Sequence, residues 1–175
     1  MVPRSSSHIL VVTLHLDQLI IEWIQQEVEH GFTGNVLLAC DFSPEHKNQL
    51  NARFPMLKFY TTDFAGSPDI LADITHDDWV EKVNSYGIKF SMVVSIATLE
   101  HVVDPFGMMK NIFLLVDKAI VHSVWAENNQ VHAYHQNPID CYRFMDDWPE
   151  AVAKRLGLKI RHKKWEFHFY VFFER

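Results

Sequence analysis

The chain alternates short, unbroken apolar runs with longer stretches in which apolar residues recur every three or four positions. Asn35–Cys40 (NVLLAC), Leu57–Thr61, Asp69–Ala72, Met92–Ile96 and Ala119–Val124 are apolar-rich segments too short for helices and bounded by polar residues. Such runs predict strands, the most apolar of them covered on both faces. Between them, Ile9–Glu29 carries Leu16, Leu19, Ile20, Trp23, Ile24 and Val28 at helical spacing, with Glu22, Gln25, Gln26 and Glu29 mostly on the other side. Gly31 and Gly34 stop that helix. Further helices are predicted over Ser43–Phe54, with a serine cap and a first-turn proline, and over Thr75–Tyr86, opened by Thr75 with Asp77 and Asp78 in its first turn. Asp104–Val116 and Trp148–Leu156 follow, the latter ended by Gly157. Leu158–Trp165 and Phe167–Phe173 read as an antiparallel hairpin. Strands alternating with helices and closed by a β-pair predict a three-layer α/β architecture around a mostly parallel sheet.

Composition narrows this picture. A chain of 175 residues, 48% hydrophobic, is long enough for one well-buried core, and we expect a single domain over residues 9–175. Residues 1–8 lack the apolar centre of a signal peptide and read as a disordered start or tag remnant. No apolar stretch reaches the roughly 18 residues a membrane helix needs, and mean hydropathy is near zero. A net charge of −6 argues against a general nucleic-acid-binding surface. The basic group Lys154, Arg155, Lys159, Arg161, Lys163 and Lys164 reads as a solvated face. Two cysteines, Cys40 and Cys141, supply neither a disulfide framework nor a thiolate metal site, so a reducing, cytoplasmic setting is the expectation. Eleven histidines include His132-x-x-His135, but no motif places a third ligand, and no metal is expected. Trp165, Phe167, Phe169, Phe172 and Phe173 fit either a hairpin core or an interface, which leaves the oligomeric state open.

Chemistry concentrates where the run Met92–Ile96 breaks into Leu99-Glu100-His101 and then Asp104-Pro105. In an open parallel sheet, ligands sit just beyond the carboxyl ends of the strands, so Glu100 and His101 belong at the mouth of a site. A buried strand followed by Leu-Glu-His, Asp-Pro and a helix resembles the class I S-adenosylmethionine-dependent methyltransferases, and more narrowly their small LEH-type branch. The downstream stretch His135-Gln-Asn-Pro138-Ile-Asp140-Cys-Tyr142-Arg143-Phe144 is similar to the H-x-x-P-x-D-Y-x-R-F segment of some members. The resemblance spans Asn35 to Phe173 and implies a Rossmann-like α/β/α fold, with S-adenosylmethionine as cofactor.

The resemblance assigns roles residue by residue. Asp41 stands where the family often has an acid for the ligand's ammonium group, and Asp63, just after the second strand, stands where a carboxylate accepts the ribose hydroxyls. Asp73 closes a D-I-x-x-D segment and takes the place of the acid facing the adenine, while Ser95, Ile96 and Ala97 form the adjoining strand end. His101 and His135 are the candidate bases toward a small-molecule or glycan-like acceptor, which Asp140, Tyr142 and Arg143 would orient. The sequence departs from the family at the first turn. A glycine-rich turn is usual after the first strand, yet no glycine lies between Asn35 and Ala65. Val116-Asp117-Lys118 also replaces the usual Pro-Gly-Gly. Two rival readings follow: a catalytically silent module of the same fold with an assembly or regulatory role, and an enzyme using another adenosine-containing ligand. Tyr142, Phe144 and Trp148 read equally as core aromatics, and Asp140 with Arg143 as a structural pair.

Overall fold

The computed structural model describes residues 18–40, 44–124, 141–142, 144–165 and 168–175. Seven strands form one sheet: β1 (Gly34–Ala39), β2 (Leu57–Asp63), β3 (Ile70–Leu71), β4 (Phe90–Ile96), β5 (Lys118–Val124), β6 (Lys159–Trp165) and β7 (His168–Glu174). Their order is β3-β2-β1-β4-β5-β7-β6. β1 to β5 are parallel, and β7 runs antiparallel to both β5 and β6. The hairpin is therefore present as expected, and its antiparallel strand β7 lies against β5 with β6 outermost.

Five helices cover the two faces: α1 (Gln18–Glu29), α2 (Pro44–Arg53), α3 (Trp79–Ser85), α4 (Pro105–Leu115) and α5 (Trp148–Leu156). Alternation along the strands decides which face each residue serves. Val36, Leu38, Met92, Val94, Ile120, Tyr170 and Phe172 pack with Ile20, Trp23 and Ile24 of α1 and Leu50 of α2. Leu37, Ala39, Val93, Val121, Phe169, Val171 and Phe173 pack with Trp79 and Val83 of α3, Met108, Met109 and Ile112 of α4 and Val152 of α5. Both faces of β1 and β4 are thereby buried, which is why those strands are nearly unbroken apolar runs. Phe169, Phe172 and Phe173 are inside the hairpin core at 0–1% exposure. Trp165 packs partly buried against the same core, while Phe167 lies outside the described residues.

The third helix departs from expectation. Thr75 does not open it: Asp73 Oδ1 accepts hydrogen bonds from the Thr75 amide at 2.9 Å and the Thr75 hydroxyl at 2.7 Å, and α3 starts only at Trp79. An aspartate that binds the backbone two residues on makes a turn that competes with helix. By contrast α4 begins where the sequence placed it, capped by Asp104, which accepts from the Gly107 amide at 2.8 Å with Pro105 in the first turn.

At the amino edge of the sheet, Glu27 of α1 is 2% exposed and ion-paired to Arg161 of β6 at 2.7 Å and to Lys118 of β5. Glu174 of β7 approaches the same two cations at 3.4 and 3.8 Å. Arg161 is thus committed inside the fold. Lys163 pairs with Glu150, and the Arg155 guanidinium lies 5.5 Å over the Phe106 ring. Arg155, Arg161 and Lys163 of the C-terminal basic group thus have partners within the fold. No helix among the described residues is long and apolar enough to cross a membrane.

Candidate active site at the carboxyl edge

The chain leaves β1 toward β2 on one side and β4 toward β5 on the other, so the strand order reverses between β1 and β4. Such a switch point opens a crevice at the carboxyl ends of the two strands. The backbone marks it. Among the described residues only two non-glycine positions have positive φ, Cys40 (55°) just after β1 and Ala97 (48°) just after β4. A left-handed residue with a Cβ costs roughly 1–2 kcal/mol, and strain of this kind concentrates at functional sites. The turn after β1 lacks glycine, yet at Cys40 it takes the left-handed conformation that glycine adopts most readily. Neither cysteine nor alanine is a residue type that signals positive φ. The Thr98 hydroxyl lies 3.1 Å from the Ile96 carbonyl and 3.4 Å from that of Ala39, spanning the two strand ends. The Ala97 amide donates to the His122 carbonyl at 3.0 Å, which extends the rim to β5.

The expected cofactor residues fall around this crevice in different states. Asp63 is the last residue of β2, 5% exposed, and its Oδ1 accepts from the Ala65 amide at 3.1 Å. Asp73 is half-buried and makes the turn described above, with His76 Nε2 3.6 Å from its second oxygen. Asp69, the first acid of the D-I-x-x-D segment, serves the framework: it accepts from the Thr61 amide at 2.8 Å and pairs with Lys47 of α2 at 2.6 Å. Burial pushes the Asp69 carboxyl up, but the hydrogen bonds from Lys47 and Thr61 and the lysine charge outweigh it and hold the group below the usual carboxylate range. Ser95 is fully buried, and its hydroxyl has no hydrogen-bond partner among the described residues. Ile96 is half-buried against the face of α1 and α2. Asp41 lies outside the described residues.

On the acceptor side, the structure brings the two family-like segments together. The Glu100 carbonyl accepts from the amides of Cys141 at 2.6 Å and Tyr142 at 3.1 Å. The Tyr142 hydroxyl donates to the Val103 carbonyl at 2.7 Å, and Cys141 Sγ lies 3.5 Å from the His101 carbonyl. His101 is 16% exposed and Tyr142 39%. Phe144 is different: at 3% exposure it stacks edge-on against Phe169 at 5.6 Å and meets Trp148 at 4.7 Å, as a core aromatic does. His135, Asp140 and Arg143 lie outside the described residues, as does His132.

Two further polar groups stand at this edge, Glu100, which the sequence placed there without a partner or a role, and His122, which it did not single out. Glu100 is 1% exposed, and its Oε2 accepts from the Ser123 hydroxyl of β5 at 2.5 Å. His122, at 8% exposure, stacks on Tyr170 at 4.6 Å and 9°, with the His168 ring 4.8 Å away. Glu100 was visible as a charge at the strand end, but its partner Ser123 sits in a strand where nothing local distinguishes it. Among the described residues no cluster of His, Cys, Asp and Glu could hold a metal ion. A cavity of about 340 Å³ lined by Phe32, Phe90, Val116 and Lys118 opens at the opposite, amino edge, away from these groups.

This sheet order, with its reversed seventh strand and its switch-point crevice, is the class I methyltransferase fold. The sequence matches no family model and no curated protein. Solved structures carry the likeness. The N-terminal domain of EvdMO1 with SAH bound superposes with a TM-score of 0.58 at 12% identity, covering 91% of this chain and 82% of that one. The 1,6-didemethyltoxoflavin-N1-methyltransferase of Burkholderia thailandensis, with S-adenosylhomocysteine and 1,6-didemethyltoxoflavin bound, gives 0.62 at 10% identity, covering 87% and 75%. A SAM-dependent methyltransferase from Aquifex aeolicus gives 0.50 at 11% identity, covering 90% and 98%.

Proposed function

We propose that this protein binds S-adenosylmethionine in the crevice between β1 and β4 and methylates a hydroxyl or amine of a small-molecule or glycan-like acceptor. The observation that carries the reading is the pair of left-handed turns at Cys40 and Ala97 on adjacent strand ends, with the Asp63 carboxylate at the end of the next strand. The missing glycines do not remove the fit, because Cys40 holds the required backbone shape at some cost in strain. Neighbours of the same fold with bound S-adenosylhomocysteine (SAH) support the same reading.

When bound, the sulfonium supplies an activated methyl group whose leaving thioether is neutral. The protein's part is then alignment, exclusion of water and removal of one acceptor proton. In this reading Asp63 accepts the ribose hydroxyls, Asp73 lies toward the adenine, and Ser95, Ile96 and Ala97 form the wall. Asp41 meets the ammonium group. His101 takes the acceptor's proton, with His135 the alternative base, and Tyr142, Asp140 and Arg143 orient the acceptor. A cytoplasmic setting and a single domain over residues 9–175 are part of the same reading.

Calorimetric titration with S-adenosylmethionine and S-adenosylhomocysteine tests this. Micromolar binding by the wild type is expected. Asp63→Ala should weaken it by on the order of 2 kcal/mol, about thirtyfold, the scale of a hydrogen bond to a charged group. Unchanged affinity in that variant would remove the pocket as drawn. No heat from the wild type, with thermal unfolding equally unmoved, would favour the silent module.

A further inference from the structure

Asn111 of α4 is a polar residue in an apolar place, and the methyl-transfer reading gives it no task. The buried residues of α4 are Pro105, Met108, Met109, Asn111, Ile112 and Phe113, and Asn111, at 5% exposure, is the one polar side chain among them. An amide taken out of water costs free energy unless it is hydrogen-bonded. Here Nδ2 donates twice, to the Ile74 carbonyl at 2.8 Å and to the His76 carbonyl at 3.0 Å. Two carbonyl acceptors fix the orientation of the amide, because only its NH₂ group can face both. They bracket Thr75, whose amide and hydroxyl hold Asp73 Oδ1. The His76 amide donates to the Asp73 carbonyl at 3.1 Å, and the Ala72 amide to the Asp63 carbonyl at 2.9 Å. The turn bearing Asp73 is thus tied to the end of β2 before it and to α4 after it. We propose that Asn111 is a positioning residue for nucleobase recognition, clamping the 72–76 turn so that the Asp73 carboxylate reads the 6-amino group of adenine. This inference rests on the methyltransferase reading, which places Asp73 toward the adenine.

The turn divides the work of the carboxylate between its two oxygens. Oδ1 is taken by Thr75, while Oδ2 stands 3.6 Å from His76 Nε2, too far for a hydrogen bond. Oδ2 is therefore the oxygen that accepts from a base. A carboxylate aimed at an amino group meets a carbonyl oxygen in the same place with repulsion, so adenine is accepted and a 6-oxo base refused. A loose turn would swing the carboxylate aside and lose that refusal; a turn fastened to a buried helix keeps it. Without the Asn111 amide, the Trp79 amide still donates to the His76 carbonyl at 3.1 Å. The start of α3 then stays in place while the turn ahead of it loosens.

The test is calorimetric, with two probes: S-adenosylhomocysteine, and S-inosylhomocysteine, in which oxygen replaces the adenine 6-amino group. Both are titrated into wild type, Asn111→Leu, Asp73→Ala and the double variant. Wild type should prefer the adenosine compound by about tenfold or more, the scale of one hydrogen bond to a charged group. Asp73→Ala should bring that preference down to about twofold, Asn111→Leu should come close to the same value, and the double variant should add nothing further. A residue that only supported the fold would weaken both compounds alike, so an unchanged preference in Asn111→Leu overturns the proposal. A wild type that binds the two compounds equally also overturns it and leaves the cofactor reading standing. A wild type that binds neither defeats the methyl-transfer reading, and this role with it. If Asn111→Leu does not fold, Asn111→Ser, which keeps one shorter donor, carries the test: a preference reduced about threefold or more supports the role, and an unreduced one overturns it.

Discussion

Two glutamates, Glu27 and Glu100, are buried to nearly the same degree at opposite edges of one sheet, and their surroundings differ in kind. Glu27 meets a guanidinium and an ammonium. Glu100 accepts from the Ser123 hydroxyl and stands 4.0 Å from the His101 imidazole. The first arrangement joins α1 to β5 and β6 through full charges. The second joins the end of β5 to the corner after β4. The strain follows the same division: among the described residues, both left-handed non-glycine positions lie at the carboxyl edge. One edge of the sheet carries an ion cluster, the other the strained turns.

The contrast can be broken most directly at Glu27. Glu27→Ala leaves Arg161 and Lys118 with only the more distant Glu174 carboxylate, and should cost about 3 kcal/mol, the low end for breaking a buried ion pair because both cations keep some solvent and a second acid. Urea unfolding measures this, and a loss below about 1 kcal/mol would reduce the cluster to a surface feature. Strain at the other edge predicts the opposite sign. Cys40→Gly relieves a left-handed Cβ, worth roughly 1–2 kcal/mol, against an unfolded-state entropy penalty of roughly 0.5–1 kcal/mol. A net gain of a few tenths to about 1 kcal/mol should appear in the same assay; a destabilised variant would mean the thiol packs better than it strains. The smallest effect belongs to Asp69. Its carboxyl titrates lower in the folded state than in the unfolded chain, so its stabilisation is present above the ordinary value of 3.8 and fades as pH falls through the folded value. With the pair partly exposed, Asp69→Asn should remove less than about 1 kcal/mol at pH 7 and flatten stability below about pH 4.

Much of this fold was legible because strands covered on both faces are written as apolar runs. β1 and β4 are such runs, and the ends read for them fall within two residues of those observed. The site was legible in part. Asp63 and His101 follow strands whose ends could be read, so their places at the carboxyl edge were expected. The left-handed turns were not, because Cys40 and Ala97 carry no residue type that signals positive φ; the strain is imposed by the strands leaving in opposite directions. Ser123 was missed for a related reason: its partner is 23 residues away and meets it only through the pairing of β4 and β5. The Thr75 cap failed because Asp73, two residues earlier, takes both the Thr75 amide and the hydroxyl that would have capped the helix.

The ion cluster at Glu27 also fastens one end of α1. Glu27 is in the last turn of a 12-residue helix, and Gln18 lies nine residues ahead of it, about 13 Å along the axis at 1.5 Å per residue. Ile20, Trp23 and Ile24 lie along that length against the sheet, so the helix is moored by charge at its heel and by apolar packing toward its start. Two kinds of anchorage, one sensitive to salt and one not, hold the same element.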